Sequence, residues 1–212
     1  RVSVHDLATG ELWSGPFAVD KFPLSVMLTH DARRVVLWDA EGISARDADS
    51  GLEIGRIDHG GVDTLWVDLP QGPGPGILTD SSGISTIFDS ETFEVLATGV
   101  DIGIQATFDS SGVRYAGRRG FSLVVGRWNS SSLEVTDEFE LPNPGAGVPA
   151  FDSSGEYLFA AASNGVQAWD ARDGTPIMPL VPGWAGAPWG AESLWQVRDG
   201  SKSRCYAPPD CY

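Results

Sequence analysis

Apolar and polar residues alternate in short runs along this chain, and the alternation restarts at a nearly fixed interval. In each interval an aspartate or asparagine closes one apolar run, at Asp6, Asp47, Asp89, Asn129 and Asp170, so that successive positions stand 41, 42, 40 and 41 residues apart. A short polar turn and a new apolar stretch follow each of these positions. The sequence therefore predicts a repeat of about 41 residues.

The unit from Val148 to Leu180 illustrates the strands predicted inside one repeat. Its four apolar stretches are 148–151, 157–162, 166–169 and 177–180. Asp152-Ser153-Ser154-Gly155 separates the first two stretches and Ser163-Asn164-Gly165 separates the next two, and both sequences are typical of tight turns. Four short strands joined by such turns predict one antiparallel sheet per repeat.

The remaining repeats follow the same pattern. The turn motif Phe108-Asp109-Ser110-Ser111-Gly112 recurs residue for residue at 151–155, and a glycine opens the predicted third strand at Gly42, Gly83, Gly120 and Gly165. Because no stretch carries the 3.6-residue period of an amphipathic helix, the whole chain is predicted to be all-β.

Four antiparallel strands in about 40 to 45 residues is typical of a β-propeller blade of the WD40 kind. The units resemble divergent WD repeats, and Ala168-Trp169-Asp170 keeps the terminal Trp-Asp pair of that family. The resemblance implies a single domain over 1–212 with about five four-stranded blades. The expected blades are 22–60, 61–100, 101–142, 143–182, and 183–212 together with 1–21.

One of these blades is split between the two ends of the chain. Arg1–His5 and Glu11–Phe17 are predicted to supply its third and fourth strands, and stretches near 192–200 and 202–206 its first and second. Pairing strands from both ends would remove exposed sheet edges. The alternative is a larger ring of six or seven blades, of which this chain, beginning at Arg1 rather than Met, is an excised piece.

The chain is strongly acidic, with 14 Lys and Arg against 29 Asp and Glu, a net charge of −15. The acidic residues are spread through the turns. Such a surface repels phosphate backbones and anionic membranes, which excludes direct binding to nucleic acid or membrane and favours a protein partner with a basic surface. Solubility alone explains the charge equally well. No apolar run approaches the roughly 18 to 20 residues of a membrane span.

Composition adds a second resemblance. The chain has two Lys against twelve Arg and many Ala, Gly, Asp and Val residues, as in high-GC bacterial genes. It resembles the C-terminal propeller modules of actinobacterial regulatory proteins. This resemblance implies a non-catalytic module for protein interaction or sensing within a larger signalling protein. No cofactor is predicted, and the location stays open, with the cytoplasm favoured over secretion.

Cys205 and Cys211 are separated by a loop that contains Pro208 and Pro209. Their spacing permits a disulfide, which would indicate a secreted protein, and two free thiols are the open alternative. Two cysteines without a neighbouring histidine or a second pair do not form a zinc site, so no metal site is predicted.

No catalytic residue is predicted. Serines are abundant, but none lies in a Gly-x-Ser-x-Gly sequence. Each histidine is next to an aspartate in the sequence, and adjacent side chains in a strand point to opposite faces, so these pairs are not expected to act as acid and base. The alternative function is an enzyme, or a binder of a small ligand, sugar or metal, that works in a central channel. Its candidate residues, near the ends of predicted first strands, are Asp31, Asp68, Asp109 and Asp152.

Partner binding is predicted on aromatic and glycine-rich loops. Trp184 and Trp189 lie in a Gly/Pro segment outside the strand pattern, where an aromatic ring serves well as an interface anchor. Gly72, Gly74 and Gly76 lie in a longer loop predicted between a first and a second strand. The alternatives are tryptophans that fold back onto the domain and ordinary loop variation. Trp38, Trp66, Trp128, Trp169 and Trp195 are predicted to pack between sheets.

Overall fold

The structure is a computed structural model in which the described residues are 1–6, 8–17, 23–39, 41–58, 64–70, 72, 74–141, 147–162, 165–177 and 181–182. Every regular element in these ranges is a β-strand, as the sequence predicts. Within the same ranges no helix is long and apolar enough to span a bilayer.

The strands form five antiparallel sheets in the described ranges. A two-stranded sheet contains β1 (Val2–His5) and β2 (Leu12–Phe17). The next contains β3 (Ser25–Leu28), β4 (Arg34–Asp39), β5 (Gly42–Asp47) and β6 (Glu53–Asp58). It is followed by β7 (Thr64–Asp68), β8 (Pro75–Asp80), β9 (Ile84–Asp89) and β10 (Val95–Asp101). Then come β11 (Ile104–Phe108), β12 (Arg114–Arg119), β13 (Ser122–Asn129) and β14 (Glu134–Glu140). The last contains β15 (Pro149–Phe151), β16 (Tyr157–Ala162), β17 (Gly165–Asp170) and β18 (Val181–Pro182).

Each four-stranded sheet holds four consecutive strands, paired in chain order. β10 runs to Asp101, one residue past the expected limit of 61–100. In the last sheet, β18 pairs with β17 at Val181–Pro182, and residues 178–180 of the predicted fourth strand lie outside the described residues. Pro176 makes only an isolated bridge to Trp169, since proline lacks the N–H that would continue the ladder.

The residue that marks each repeat is the cap of a turn between third and fourth strands. Its side-chain oxygen accepts a hydrogen bond from the backbone N–H two or three residues ahead. The donor–acceptor pairs are Thr9–Asp6, Ser50–Asp47 and Arg172–Asp170 at 2.8 Å, Thr92–Asp89 at 2.7 Å, and Ser132–Asn129 at 3.2 Å. Asp and Asn are the side chains that reach these donors from a turn's first position. The 41-residue period is therefore the period of this turn.

The hydrophobic core lies in layers between successive sheets. One cluster joins Val36 and Ile43 of β4 and β5 to Leu78 of β8, and corresponding clusters fill the next two gaps and the gap beside β1. Trp128 and Trp169 are buried in these layers, whereas Trp38 and Trp66 are half-buried. The predicted packing of Trp38, Trp128 and Trp169 between sheets is confirmed. Trp66 contacts the next sheet through a hydrogen bond to the Ala106 carbonyl, and Trp195 lies outside the described residues.

Two opposite faces carry the turns. The Phe121 face bears the hairpin tips between second and third strands, at 39–42, 80–83 and 119–122. The Asx-turn face bears the turns between first and second strands, at 29–32, 109–112 and 152–155, and those between third and fourth strands, at 47–51, 89–93, 129–133 and 170–174. Antiparallel pairing within each sheet separates these two sets.

Candidate functional site

The three glycines predicted to contact a partner lie on the Asx-turn face, in and beside the connection from β7 to β8. They pack against the neighbouring sheet. A Cβ added to Gly72 would lie 2.8 Å from the Ser110 carbonyl oxygen, and one added to Gly74 would lie 3.3 Å from the Gly112 Cα. Gly76 is inside β8, where a side chain would collide with the Phe88 ring. Close approach of two backbones thus accounts for these glycines.

The four carboxylates predicted near first-strand ends are all found there. Asp68 is the last residue of β7, Asp109 and Asp152 directly follow β11 and β15, and Asp31 follows β3 by three residues. Three of them bond within their own turns. Asp109 accepts the Val113 N–H at 3.0 Å, Asp152 the Tyr157 N–H at 2.9 Å, and Asp31 the Thr29 hydroxyl at 2.6 Å.

These turns also connect neighbouring sheets. The Ser110 hydroxyl donates to the Ser153 carbonyl at 3.0 Å, and Arg114 Nη1 donates to the Gly155 carbonyl at 3.0 Å. Asp109 is buried beneath Gly155. Across the described residues, no three His, Cys, Asp or Glu side chains are grouped so as to hold a metal ion. In the sheets around Asp109 and Asp152, the carboxylates stabilise turns.

Asp68 differs from the other three. Its carboxyl group accepts hydrogen bonds from the Thr107 hydroxyl and the Phe108 N–H of the next sheet, and burial raises its pKa to about 7. The Trp66 indole donates to the Ala106 carbonyl at 3.2 Å in the same contact between β7 and β11. Asp68 is therefore a carboxyl group that titrates near neutral pH where two inner strands meet.

The most exposed large apolar side chain among the described residues is Phe121, at the tip of the hairpin between β12 and β13. It is 94% exposed, whereas Leu123, two residues further along in β13, is completely buried. Ile84, beside the neighbouring tip, is 39% exposed. A solvated aromatic ring on a hairpin tip is suited to anchor an interface, since burying it in a partner gives a large hydrophobic gain for little lost side-chain entropy.

A polar network supports the base of this hairpin. Arg119 binds Glu138 through two contacts, of 2.6 Å from Nη1 and 3.1 Å from Nη2, and its Nη2 also donates to the Asp101 carbonyl at 2.9 Å. The buried Tyr115 hydroxyl donates to Glu138 at 2.6 Å. Since Asp101 pairs with Ile84 across β10 and β9, the network joins the two neighbouring tips.

The network also fixes charge states. Hydrogen bonds from Arg119 hold the pKa of Glu138 below its ordinary value. Burial, assisted by the hydrogen bond to Glu138, raises the pKa of Tyr115 far above its ordinary value. Glu138 is thus ionised and Tyr115 neutral over the physiological range, so that the bonds holding the hairpin persist.

Several predicted residues lie outside the described ranges, namely Trp184, Trp189, Cys205 and Cys211. The last described residue before them, Pro182, pairs with Gly165 at the end of β17 nearest the hairpin tip. The chain therefore leaves β18 on the Phe121 face, opposite to the face that carries Gly72 and Gly74.

Sequence reasoning missed Phe121 and interpreted it as the start of a strand. The Gly-Phe pair at 120–121 is the available signal, because a large aromatic follows directly on a turn glycine. Ile43 and Ile84 also follow a glycine, and the sequence predicts the same strand start for all three residues. The structure separates these three residues, because Ile43 and Ile84 belong to β5 and β9, whereas Phe121 lies in the turn before β13.

Comparison with known proteins identifies the fold. No protein-family model matches the chain, and no curated protein matches it. The WD40 domain of a coronin from Toxoplasma gondii superposes with a TM-score of 0.58 at 13% identity, covering 79% of this chain and 47% of that one. A structure of Hsv2 from Kluyveromyces lactis, described as having a complete loop 6CD, gives a TM-score of 0.64 at 9% identity, covering 83% of this chain and 55% of that one.

The chain thus has a WD40-like β-propeller fold, and its four-stranded sheets correspond to propeller blades. It spans about half the length of these two solved chains. At such low identity the likeness concerns the fold, which hosts many unrelated functions.

Proposed function

We propose that this chain is a non-catalytic protein-interaction module that engages a partner through the Phe121 face. The observation that carries the proposal is the 94% exposure of Phe121 on a hairpin held by Arg119 and Glu138. A rigid scaffold beneath an exposed aromatic ring lowers the entropy cost of binding.

The charge of the chain supports a partner with a basic surface. The net charge is −15, and Asp101 and Glu138 lie at the foot of the Phe121 hairpin with Arg119 between them. Two carboxylates against one guanidinium leave this region negative. Complementary charge would speed association and select against acidic partners.

Trp184 and Trp189 remain proposed partner contacts. Their segment begins after Pro182, on the Phe121 face, so that aromatic anchors from two neighbouring blades would act on one surface. The parent protein is proposed to be a larger regulator, of the kind suggested by the resemblance to actinobacterial C-terminal propeller modules. The chain would then act as its sensing or partner-binding part.

We also propose five blades, with the split blade completed by strands from 183–212. Val26 and Leu28 of β3 are the supporting observation. They are 47% and 45% exposed, although they lie beside Leu37 and Val35, which are buried against β1 and β2. Inner strands supplied by 183–212 would cover Val26 and Leu28, the exposed part of a sheet face that is buried at Leu37 and Val35.

The interaction proposal is tested with two exposed positions on opposite faces. Wild-type chain, Phe121→Asp and Leu52→Asp are immobilised, and proteins bound from lysate of the source cells are identified and then measured singly for affinity. Leu52 is the matched control, since it is 71% exposed and lies after an Asx-turn-face turn. The expected result is a partner that binds wild type and Leu52→Asp and loses at least about tenfold affinity for Phe121→Asp, as for an interface hot spot.

Equal affinity of that partner for Phe121→Asp and wild type, with both proteins folded, would contradict the Phe121 face as the binding surface. Replacing both Trp184 and Trp189 by alanine tests their part separately. Unchanged affinity in that variant would remove the two tryptophans from the proposal.

A second candidate function is the binding of a small ligand in the central channel, and Asp68 is the observation that favours it. A carboxyl group with a pKa of about 7 can donate or accept a proton near neutrality. A thermal-shift screen with sugars, metal ions and small acids tests this function. Stabilisation that Asp68→Asn abolishes would support it, and no response across the panel would count against it.

A further inference from the structure

A cleft of about 370 Å³ lies between the third and fourth four-stranded sheets, apart from the Phe121 face. Its volume falls within the range of small-molecule pockets. Strands β12, β13 and β14 form one side, and Ala171 and Arg172, which follow β17, form the other.

Local backbone irregularity opens this cleft. The pairing of β13 with β14 shifts register between Val125 and Arg127, and Asp137 opposite the shift takes a left-handed backbone with φ of 52°. Gly126 forms part of the floor, and a Cβ there would lie 2.6 Å from the Tyr115 hydroxyl oxygen. Gly126 thus lets the Tyr115 ring pack closely under the strand, and the β-bulge re-aims the neighbouring side chains of β13 and β14.

Three guanidinium groups from separate segments line the cleft, those of Arg114, Arg127 and Arg172. Two are held in place, because Arg114 donates to the Gly155 carbonyl at 3.0 Å and Arg172 forms a two-point pair with Asp170 at 3.0 and 2.6 Å. The Arg127 side chain is exposed and forms no hydrogen bond or ion pair with the described part of the chain. Its guanidinium is free to bind an anion.

The charges of the lining select among anions. Asp137 opposes the three arginines, and Asp170, whose pKa is lowered to about 2 by Arg172, is ionised beside them. Glu156 and Asp173 also offset Arg172, so the unpaired Arg127 fits one negative charge better than the two of a phosphate. Half-buried Phe139 and buried Val125 supply apolar wall.

We propose that this cleft binds a small monocarboxylate that carries an apolar group. Arg127 takes the carboxylate in the two-point geometry that a guanidinium offers, Arg114 adds a second positive charge, and Phe139 contacts the apolar group. The site is independent of the proposed protein interaction, because it shares no residue with the Phe121 face.

The test measures binding of 3-phenylpropionate to the 212-residue chain by isothermal titration calorimetry and amide NMR shifts. Its neutral amide and inorganic phosphate are the comparison ligands. Arg127→Gln removes the proposed carboxylate ligand, and Arg33→Gln is the matched control, since Arg33 is exposed on the Asx-turn face away from the cleft. Melting temperatures establish that both variants fold.

The expected result is wild-type binding in or below the millimolar range, weakened at least about tenfold in Arg127→Gln and by less than about twofold in Arg33→Gln. The amide and phosphate bind more weakly than 3-phenylpropionate. The proposal is overturned by no wild-type binding at about 10 mM, by equal affinity of Arg127→Gln, or by equal binding of the amide. Tighter binding of phosphate would assign the cleft to a different class of anion.

Discussion

Leu133 takes the same left-handed backbone as Gly51 at the same position of the repeat, with φ of 57° against 72°. Both residues end the turn that an Asp or Asn cap begins, and their N–H groups donate to the carbonyls of Asn129 and Asp47 at 2.7 and 2.9 Å. Phe93 is the third example, with φ of 60°. The last position of this turn requires a left-handed backbone, and the repeats place different residues there.

Replacing Leu133 by glycine is expected to stabilise the protein. A left-handed backbone costs a non-glycine residue about 1 to 2 kcal/mol, and glycine loses about 0.5 to 1 kcal/mol more chain entropy on folding. Leu133 is exposed, so little packing is lost. The free energy of unfolding should rise by about 0.5 kcal/mol in urea denaturation.

Phe93→Gly is the matched variant. Phe93 has the same left-handed backbone as Leu133, but its replacement by glycine is expected to lower the free energy of unfolding. Phe93 is buried, and its ring centroid lies 5.3 Å from that of Phe88. Removing the ring should cost about 3 kcal/mol or more. A loss of stability in Leu133→Gly comparable to that in Phe93→Gly would show that strain at this turn position is negligible.

Asp68 should make stability fall as pH rises toward neutral. Burial raises its pKa from the ordinary 3.8 to about 7, so the folded state holds this proton more tightly than the unfolded state. The contribution is fully present below pH 3.8 and is lost as the pH rises to about 7. As the pH rises from 4 to 7, the free energy of unfolding of Asp68→Asn should increase relative to that of wild type by on the order of 2 kcal/mol.

Asp47→Asn supplies the control for that titration. Hydrogen bonds from the Ser50 hydroxyl and N–H lower the pKa of Asp47, so its stabilising effect is present above its ordinary pKa and disappears in acid. The Asp47 variant should therefore be less stable than wild type at pH 7 and equal to it in acid. A pH-independent difference between Asp68→Asn and wild type would contradict the buried environment of Asp68.

The indole of Trp169 presents a buried donor that has no hydrogen-bond partner within the described residues. An unpaired buried N–H costs about 1 to 3 kcal/mol, so Trp169→Phe should remove this cost while leaving a small cavity. The expected change in unfolding free energy is within about 1 kcal/mol, against a loss of about 3 to 5 kcal/mol for Trp169→Ala. Guanidinium denaturation measures both, and equal losses would indicate that the indole N–H is satisfied.

The sequence predicts the repeat, the strands and the cap of each turn, because these features are local. Hydrophobic alternation fixes which residues form strands, and Asp47 and Asp170 bond to donors a few residues ahead. Strand ends are harder to predict, since the end of a ladder depends on which N–H groups the neighbouring strand accepts.

The candidate site is less predictable because it arises between repeats. Gly72 needs to be glycine because of Ser110, which lies 38 residues away in sequence, and the pKa of Asp68 depends on Thr107 in the next sheet. Phe121 and Ile43 both follow a glycine in the sequence, but Arg119 pairs with Ser122 and Asp39 with Gly42, so Phe121 lies in a turn and Ile43 in a strand. Contacts of this kind have no signature in a single sequence.

Leu28→Ser tests the completion of the split blade. If strands from 183–212 cover β3, the substitution introduces a hydroxyl into an apolar contact of the full chain and should lower its melting temperature by several degrees. In a chain ending at Pro182 the same position faces solvent, and the substitution should have little effect. Equal shifts in both chains would contradict the cover.

The central claim is that the Phe121 face receives a protein partner, and hydrogen–deuterium exchange of the chain with and without the captured partner tests it most directly. Protection of the amides at 80–84 and 119–122, with unchanged exchange at 109–112 and 152–155, is the predicted result. Protection confined to the Asx-turn face, with free exchange around Phe121, would contradict the claim.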